Sequence, residues 1–144
     1  MRPYEHRVQY YETDKMGIVH HSNYIRWMEE ARVDFLEQIG WGFDRLESFG
    51  IVSPVTCVDC KYKVSTRFPE KVKITVLVEE FKGVKLKLRY EMRKEDGTLA
   101  CEGHSEHCFL TADGKVIALK KEYPEFLKAL LEAAEIVGKQ GHQA

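Results

Sequence analysis

Two consecutive segments of the chain, 72–81 and 84–92, alternate apolar and polar residues. The apolar positions share one face in each segment: Val72, Ile74, Val76 and Val78 in the first, and Val84, Leu86, Leu88, Tyr90 and Met92 in the second. A period of two is typical of β-strands that bury one face. Lys82 and Gly83 supply the turn between them. The chain is therefore expected to form an antiparallel sheet whose apolar face is covered by another element.

The covering element is predicted between Asn23 and Ile39, where apolar residues recur at steps of three and four. This spacing is typical of a long amphipathic helix. Ser22 or Asn23 can accept the unpaired N–H groups of its first turn, and Gly40 tolerates the left-handed conformation that often ends a helix. Both ends of the predicted helix thus have a chemical cause.

Turn residues divide much of the remaining chain into short strands. We predict these strands over residues 4–12, 53–64 and 99–111 and near Val116. Asp96-Gly97 and Asp113-Gly114 favour tight hairpins, so the strands after residue 72 are expected to form an antiparallel meander. One strand, one long helix and then a run of strands is an order that predicts the α+β class.

A C-terminal helix is predicted from Pro124 to Gly138, because Pro favours the first turn of a helix and Gly favours its end. Residues 139–144 are expected to be a frayed tail. Residues 1–138 are expected to form one domain, since no Pro-, Gly- or Ser-rich stretch divides them. We find no signal-peptide pattern and no run approaching the roughly 20 apolar residues that span a bilayer, so a cytoplasmic location is expected.

Charge and cysteine content narrow the possible partners. The chain has 22 Lys and Arg against 23 Asp and Glu, and a formal charge of −1. This balance creates no global field that would attract nucleic acid or anionic lipid, so neither nucleic-acid binding nor membrane insertion is expected. Four cysteines are too few for the disulfide framework of a small secreted domain, and reduced thiols are expected.

A zinc site is superficially suggested by one set of residues: Cys57, Cys60, Cys101, His104, His107 and Cys108. Within a strand, side chains three or seven positions apart point to opposite faces, so Cys57 diverges from Cys60 and Cys101 from Cys108. We therefore expect no metal and interpret the cysteines as small core residues, although a β-bulge would change the faces.

The most specific motif is VQYYETDKMGIVHHSNYIRWMEEAR, residues 8–32. It resembles the signature of the hydroxybenzoyl-CoA thioesterase-like family, particularly the branch associated with the Tol-Pal system. The residues in the family's register are Tyr10, Thr13, Asp14, Gly17, Val19, His21, Asn23 and Tyr24. The resemblance implies a hotdog fold, in which the sheet wraps the long helix, and a homodimer or homotetramer with active sites between subunits. It also implies an acyl-CoA substrate, no separate cofactor and the bacterial cytoplasm as location.

The same residues suit thioester hydrolysis, which needs a base or nucleophile beside a group that polarises the carbonyl. Asp14, just before the helix, can activate water or attack the thioester, and these two routes stay open. The helix start offers free N–H groups and a positive dipole end, and the resemblance places the polarising N–H near His21. His21 and Tyr10 are further catalytic candidates. The substrate-binding candidates from this segment are Gly17, Asn23 and Tyr24.

Each catalytic candidate also has a purely structural interpretation. Asp14 and Gly17 have the composition of an Asx turn, which Asn would form as well as Asp. His21 can be a helix-entry histidine bonded to backbone. Tyr10 can be a core aromatic in an alternating strand.

Basic residues that can bind CoA phosphates lie on the polar side of the second long strand. Lys85, Lys87 and Arg89 alternate there, and similar candidates are Arg67, in the loop after the 53–64 strand, and nearby Lys71. The alternating row is equally typical of the solvated face of a half-buried sheet.

Two other functions stay open. A hotdog hydratase or dehydratase would pair His21 with Glu29 or Glu30 to move a proton and water on an acyl thioester. A non-catalytic acyl-CoA-binding protein would bind without turnover. Release of free thiol distinguishes a thioesterase from both. The acyl group is open between short aliphatic and aromatic types, with these candidate lining residues: Trp27, Phe49 and Phe68.

Overall fold

The computed structural model describes the backbone of residues 1–143 and the side chains of residues 1–134. The strands are β1 (Tyr4–Arg7), β2 (Val55–Tyr62), β3 (Lys71–Lys82), β4 (Lys85–Lys94) and β5 (Leu99–His107). The α-helices are α1 (Ser22–Gln38), α2 (Phe43–Ser48), α3 (Leu119–Glu122) and α4 (Pro124–Gln143). A 3-10 helix, Tyr10–Glu12, lies between β1 and α1.

The five strands form one antiparallel sheet in the order β1-β3-β4-β5-β2. The predicted meander of β3, β4 and β5 is confirmed. β1 adds to one edge by pairing Tyr4 with Ile74, and β2 adds to the other by pairing Val58 with Ser105. A sheet of this kind with accompanying helices agrees with the α+β class.

The two alternating segments bury the face that the sequence predicts. The buried positions are Val72, Ile74, Val76 and Val78 on β3 and Leu86, Leu88, Tyr90 and Met92 on β4. Val84 is the exception: it precedes β4 in the hairpin and is exposed. The buried face is part of one apolar core shared with α1, α2 and the described start of α4.

The predicted helix over 23–39 is confirmed as α1. It lies against β1, β2 and β3 and buries the stripe Tyr24, Trp27, Met28, Ala31, Phe35 and Leu36. Full burial of one large apolar side chain stabilises the fold by about 1.5–3 kcal/mol, so this stripe fixes α1 against the sheet. Gly40 has a φ of +84° directly after the helix, which confirms the left-handed ending.

The predicted capping of α1 is wrong. The side chain of Ser22 contacts the His20 ring instead, and the Asn23 amide donates to the Glu12 carbonyl oxygen at 2.9 Å. The Glu12 carbonyl also accepts from the His20 N–H at 2.8 Å. The incoming chain is therefore bound to the first turn of α1 through Glu12, so these side chains serve that connection rather than the cap.

Several predicted strand ends are also wrong. β1 ends at Arg7, because Glu12 accepts a hydrogen bond from the Gln9 N–H and turns the chain into the 3-10 helix. β5 ends at His107, and the strand predicted near Val116 is an isolated bridge to Leu110. The alternation of apolar and polar residues does not reveal these local bonds.

The C-terminal helix begins at Pro124 as predicted but does not end at Gly138. α4 continues to Gln143 and includes both Gly138 and Gly141, since each Gly inside a helix costs only about 1 kcal/mol and is a weak stop signal. Fraying of residues 139–144 stays a prediction, and Ala144 lies outside the described residues. Among the helices described, none has both the length and the apolar content needed to cross a membrane.

Candidate functional site

Asp14 occupies a tight turn between the 3-10 helix and α1. Its N–H donates to the Ile18 carbonyl at 2.8 Å, and its own carbonyl accepts from the Gly17 N–H at 3.0 Å. Asp14 Oδ1 accepts from the Met16 N–H at 2.8 Å, which is the Asx turn anticipated from composition. Gly17 has a φ of +78°, a conformation that favours glycine. Oδ2 of Asp14 forms no hydrogen bond with any described residue.

The amino end of α1 lies close behind this turn. His21 is the residue before the first helical position, and its N–H makes no hydrogen bond within the described part of the chain. The neighbouring donors are occupied, since Ser22 N–H contacts His20 Nδ1 at 3.3 Å and Asn23 N–H donates to the His20 carbonyl at 3.0 Å. The free N–H of His21 therefore lies at the positive end of a 17-residue helix.

Asp14 and His21 line one cleft of about 270 Å³, which we call the Asp14 cleft. Tyr24 contributes from the first turn of α1, and Tyr62, Lys63 and Ser65 contribute from the end of β2 and the loop after it. The residues that carry a free carboxylate oxygen and an unoccupied helix N–H thus line the same cleft. This arrangement can bind a carbonyl oxygen and present a base or nucleophile to its carbon.

The chain matches the family model described as the Thioesterase-like superfamily over residues 8–132. The chain belongs to this superfamily. The match covers the Asp14 turn and strands β2 to β5, and it assigns hydrolysis of thioesters to the chain.

Similar proteins in the superfamily match nearly end to end. A putative esterase of Aquifex aeolicus is 35% identical over 87% of this chain and 96% of its own length. A putative acyl-CoA thioesterase of Bacillus subtilis, YneP, is 32% identical over 90% of this chain and 94% of its own. The crystal structure of a DHNA-CoA thioesterase from Staphylococcus aureus has a TM-score of 0.88 and 35% identity, covering 97% of this chain and 94% of that one. The hotdog thioesterase fold predicted from the motif is shared with these relatives.

The sequence alone does not identify three polar residues that line the Asp14 cleft: Tyr62, Lys63 and Ser65. Tyr62 OH donates to the His21 carbonyl at 3.3 Å, and its ring lies 5.2 Å from the ring of Tyr24. Lys63 forms an ion pair with Glu102 at 3.5 Å. The sequence shows only that a strand ends near Tyr62. The approach of this strand end to α1 depends on how β2 pairs with β5.

The predicted substrate-binding residues near α1 are only partly brought together. Tyr24 lines the cleft but is buried, with its OH 2.7 Å from Thr66 Oγ1, and burial raises its pKa. Asn23 is buried and bonded to Glu12, away from the cleft. Gly17 lies beside Arg67, whose Nη1 would be 3.5 Å from a side-chain carbon at that position. Arg67 is therefore next to the Asp14 turn.

Tyr10 is not placed in the Asp14 cleft. It lies on the 3-10 helix rather than on a strand, is 77% exposed, and packs edge-on against Phe68 at 5.7 Å. The alternative interpretation of Tyr10 as a core aromatic is wrong, because its side chain is exposed. The aromatic residues considered for an acyl pocket do not line the cleft either: Trp27 is in the core, and Phe49 and Phe68 lie elsewhere on the surface.

The basic row on β4 lies apart from the Asp14 cleft. Each member is paired with carboxylates: Lys85 with Glu106 at 3.3 Å, Lys87 with Glu79 at 3.5 Å, and Arg89 with Glu91 at 3.3 Å and Glu102 at 3.5 Å. Lys71 is similarly placed 3.9 Å from Glu5. This geometry favours the interpretation of the row as the solvated face of the sheet.

Glu12 is a buried carboxylate that sequence reasoning overlooked. It accepts hydrogen bonds from Gln9 N–H at 2.7 Å and Trp27 Nε1 at 2.6 Å, and it contacts His6 Nε2 at 2.8 Å. Burial alone would raise the pKa of Glu12, but these three bonds lower it below its usual value. On the other side of His6, Nδ1 contacts Glu30 at 3.0 Å. This network joins β1, the 3-10 helix and α1 directly behind the Asp14 turn.

The cysteines and histidines considered for zinc do not come together. Within the residues whose side chains are described, no cluster of three or more His, Cys, Asp or Glu has the geometry of a metal site. Cys101 is buried as expected, with Cys60 and Cys108 half-buried. Cys57 is exposed, because β2 is an edge strand, so its interpretation as a core residue is wrong.

Proposed function

We propose that this chain is an acyl-CoA thioesterase in which Asp14 is the catalytic carboxylate and the His21 N–H polarises the thioester carbonyl. The observation that carries the proposal is their presence in one cleft. Asp14 Oδ2 and the His21 N–H are both free of hydrogen bonds to described residues. A thioesterase needs these two functions within reach of one carbonyl group.

The turn around Asp14 supports this role rather than competing with it. Oδ1 holds the backbone through Met16, so the carboxylate has one orientation, and Oδ2 is left for substrate or water. Holding a reacting group in one geometry reduces the entropy cost of reaction. The structural and catalytic interpretations of Asp14 are therefore compatible.

Two balanced routes fit this arrangement. In the first, Asp14 takes a proton from water, the hydroxide forms a C–O bond at the thioester carbon, and the C–S bond breaks to release CoA thiolate. In the second, Oδ2 attacks the carbon, CoA thiolate leaves, and water hydrolyses the resulting mixed anhydride. In both routes the thiolate gains a proton, and the imidazole of His21, which lines the cleft, can donate one. The backbone N–H of His21 stabilises the oxyanion in either case.

CoA binding is proposed to involve basic residues at the rim of the cleft. Lys63 lines the cleft and Arg67 flanks Gly17, so these two lie closer to Asp14 than the basic row on β4 does. The name of the Bacillus subtilis relative, a putative acyl-CoA thioesterase, supports a CoA thioester as the substrate.

A hydratase is less consistent with the geometry. Glu30 is engaged by His6 at 3.0 Å and by Tyr4 at 3.1 Å, on the opposite side of α1 from His21. Glu29 does not line the Asp14 cleft. Neither glutamate considered as the hydratase partner of His21 lines the Asp14 cleft, whereas Asp14, which does, suits hydrolysis.

We further propose that the sheet wraps α1 as in other hotdog proteins and that two or four chains assemble, with active sites at the interface between subunits. The motif register from Tyr10 to Tyr24 supports the Tol-Pal-associated branch. A cytoplasmic location, one domain over residues 1–138, and the absence of any cofactor other than the CoA of the substrate belong to the same proposal.

The test of Asp14 is an Asp14→Asn variant. Asn retains the Oδ1 acceptor for Met16 but has neither the negative charge nor the basicity, so folding should persist while kcat falls by roughly 10²–10⁴-fold. Thiol release from a panel of acyl-CoA esters measures turnover, and thermal unfolding checks the fold. Enoyl-CoA absorbance measured in parallel would detect hydration instead.

A matched control is Asp96→Asn. Asp96 forms the same kind of turn, with Oδ1 accepting from Thr98 N–H at 2.9 Å, and it is remote from the cleft. We expect this variant to retain full activity. Near wild-type thiol release by Asp14→Asn would refute the catalytic assignment.

A further inference from the structure

A second cavity lies further along the seam between α1 and β2, and we call it the His107 cavity. It encloses about 230 Å³. Its apolar walls are formed by Ile25 and Met28 of α1 and Val55 and Val58 of β2. The thioesterase mechanism described above uses none of these side chains.

Three polar side chains that line this cavity form a buried row. Tyr90 OH lies 2.7 Å from Ser105 Oγ, which lies 2.6 Å from His107 Nε2. His107 is only 1% exposed, and its Nδ1 makes no hydrogen bond with any described residue. The carbonyl of Pro54 is near enough to raise the pKa of His107, but it does not complete a hydrogen bond to Nδ1. Nδ1 is fully buried, so this row belongs to the wall of the cavity and is not a free contact for a ligand.

Arg32 also lines the cavity and is 6% exposed. Its one polar contact is a long one, 3.5 Å from Nη1 to Ser53 Oγ, and its guanidinium lies 5.2 Å from the ring of Phe43. Glu29 at the cavity acts to raise the pKa of Arg32, although burial lowers it overall. Among the side chains that the structure describes, no carboxylate lies within ion-pair distance of this guanidinium. Buried cations are almost always paired, so the site lacks an anion or acceptor.

We propose that the His107 cavity is the acyl subsite, and that it selects an acyl group that is apolar along its length and ends in an oxygen acceptor. The apolar walls accommodate the body of the group, and the Arg32 guanidinium binds the terminal oxygen. A carboxylate and a ring hydroxyl both present an oxygen acceptor of this kind. The inference rests on the proposed thioesterase function and adds the class of substrate.

The position along α1 sets the length of the acyl group. Ile25 is one turn beyond His21, about 6 Å along the helix, and Arg32 is about 10 Å further. Long side chains on a helix lean toward its amino end, so the guanidinium reaches back toward His21. A thioester carbonyl at the His21 N–H therefore has its acyl group directed at Arg32. The distance of about 10 Å from Ile25 to Arg32 along the helix suits an acyl chain of about eight carbons or a two-ring aromatic acid.

The test uses pairs of substrates that differ only at the far end. Octanoyl-CoA is compared with 7-carboxyheptanoyl-CoA, and 2-naphthoyl-CoA with 6-hydroxy-2-naphthoyl-CoA. kcat/KM comes from thiol release by the wild-type protein, and Kd comes from calorimetric titration of Asp14→Asn, which binds without turnover. At least one oxygen-bearing member should be favoured by about tenfold or more, because a hydrogen bond to a charged partner changes affinity by about 10- to 100-fold. The two pairs distinguish a carboxylate from a hydroxyl.

One variant connects that preference to the cavity. Arg32→Met should lower kcat/KM for the favoured substrate at least tenfold more than for its matched partner, because only the favoured one loses a bond. A merely structural role would lower both members equally. Arg93→Met is the control, since Arg93 contacts Gly97 on the β4–β5 hairpin and should leave both values unchanged.

The outcomes separate the two proposals. Hydrolysis of every ester with no preference in either pair would overturn the acyl subsite and leave the thioesterase intact. Preferential binding to Asp14→Asn without hydrolysis by the wild type would overturn the thioesterase and support the subsite. Equal losses of kcat/KM for both members of a pair in Arg32→Met would also refute the subsite. If this variant does not fold, the comparison of the paired substrates with the wild-type protein decides.

Discussion

At the scale of single atoms, the two carboxylate oxygens of Asp14 have different environments. Oδ1 accepts a hydrogen bond from the backbone of Met16, and Oδ2 bonds to no described protein group. The structural role of Oδ1 is therefore compatible with the catalytic role proposed for Oδ2. Any residue with an acceptor at this position can form the turn, but only a carboxylate can serve as base or nucleophile.

His107 is a histidine whose side chain is almost completely shielded from water. Burial, with a further contribution from the Arg32 guanidinium, lowers the pKa of His107 to about 4, against the opposing effect of the Pro54 carbonyl. The folded protein therefore holds this ring neutral at pH values where the unfolded chain, with a pKa of about 6.5, takes up a proton. Above pH 6.5 both states are neutral and this residue has no effect on stability.

We predict that the free energy of unfolding falls as the pH is lowered from 6.5 toward 4. Each pKa unit corresponds to about 1.4 kcal/mol, so His107 contributes a loss of about 3 kcal/mol over this interval. Denaturant titrations at pH 7 and pH 4.5 measure it. His107→Gln has no titrating ring and should show a flatter dependence. Equal pH dependence in both proteins would refute the prediction.

At the scale of elements, Glu12 connects β1, the 3-10 helix and α1. Its carboxylate reaches His6 on β1 and Trp27 on α1, while its backbone carbonyl accepts from His20 and Asn23. These bonds hold the amino end of α1 against the first strand. The Asp14 turn lies between the elements so joined, and its geometry depends on them.

We predict that Glu12→Gln lowers the free energy of unfolding by about 1–3 kcal/mol. The neutral amide cannot accept at both oxygen positions, so at least one buried donor loses its partner. The control is Glu5→Gln on β1, whose carboxylate is half-exposed and 3.9 Å from Lys71. An exposed pair of this kind contributes less than about 1 kcal/mol. Chemical denaturation of both variants gives the comparison, and equal losses would contradict a special role for Glu12.

At the scale of the whole molecule, β2 is an eight-residue edge strand with unusual exposure. Val55 is 52% exposed, Val58 39% and Tyr62 48%, and the outer edge of the strand pairs with no described strand. Long exposed edge strands with apolar side chains are suited to pairing with another chain. The Asp14 cleft and the His107 cavity both open beside this strand, which agrees with a site completed by a second subunit.

We predict that the protein assembles through β2 and has a solution mass at a multiple of the 16.8 kDa chain. Cys57→Lys places a charge on an exposed position of β2 and should shift the mass toward 16.8 kDa, with a parallel loss of thiol release. Cys57→Ser, which adds no charge, should retain the wild-type mass. Light scattering during gel filtration measures both. An active wild-type monomer would contradict this assembly.

The sequence by itself determined the parts that depend on neighbouring residues. Alternation over 72–92 specified β3 and β4 and their buried face, and the spacing of apolar residues specified α1 to within one residue at each end. The motif around Asp14 placed the catalytic candidate on a turn before a helix. These features follow from periodicity and turn chemistry, which act over a few residues.

Only the tertiary structure decided which distant residues meet. The pairing of β2 with β5 placed Tyr62 beside His21, and it brought His107 and Arg32 to one cavity. The carboxylate partners of Lys85, Lys87 and Arg89 likewise come partly from other strands. Such contacts arise from the register of strands far apart in the chain, which local periodicity does not encode. Their energies depend on burial, which exists only once the sheet and α1 have packed together.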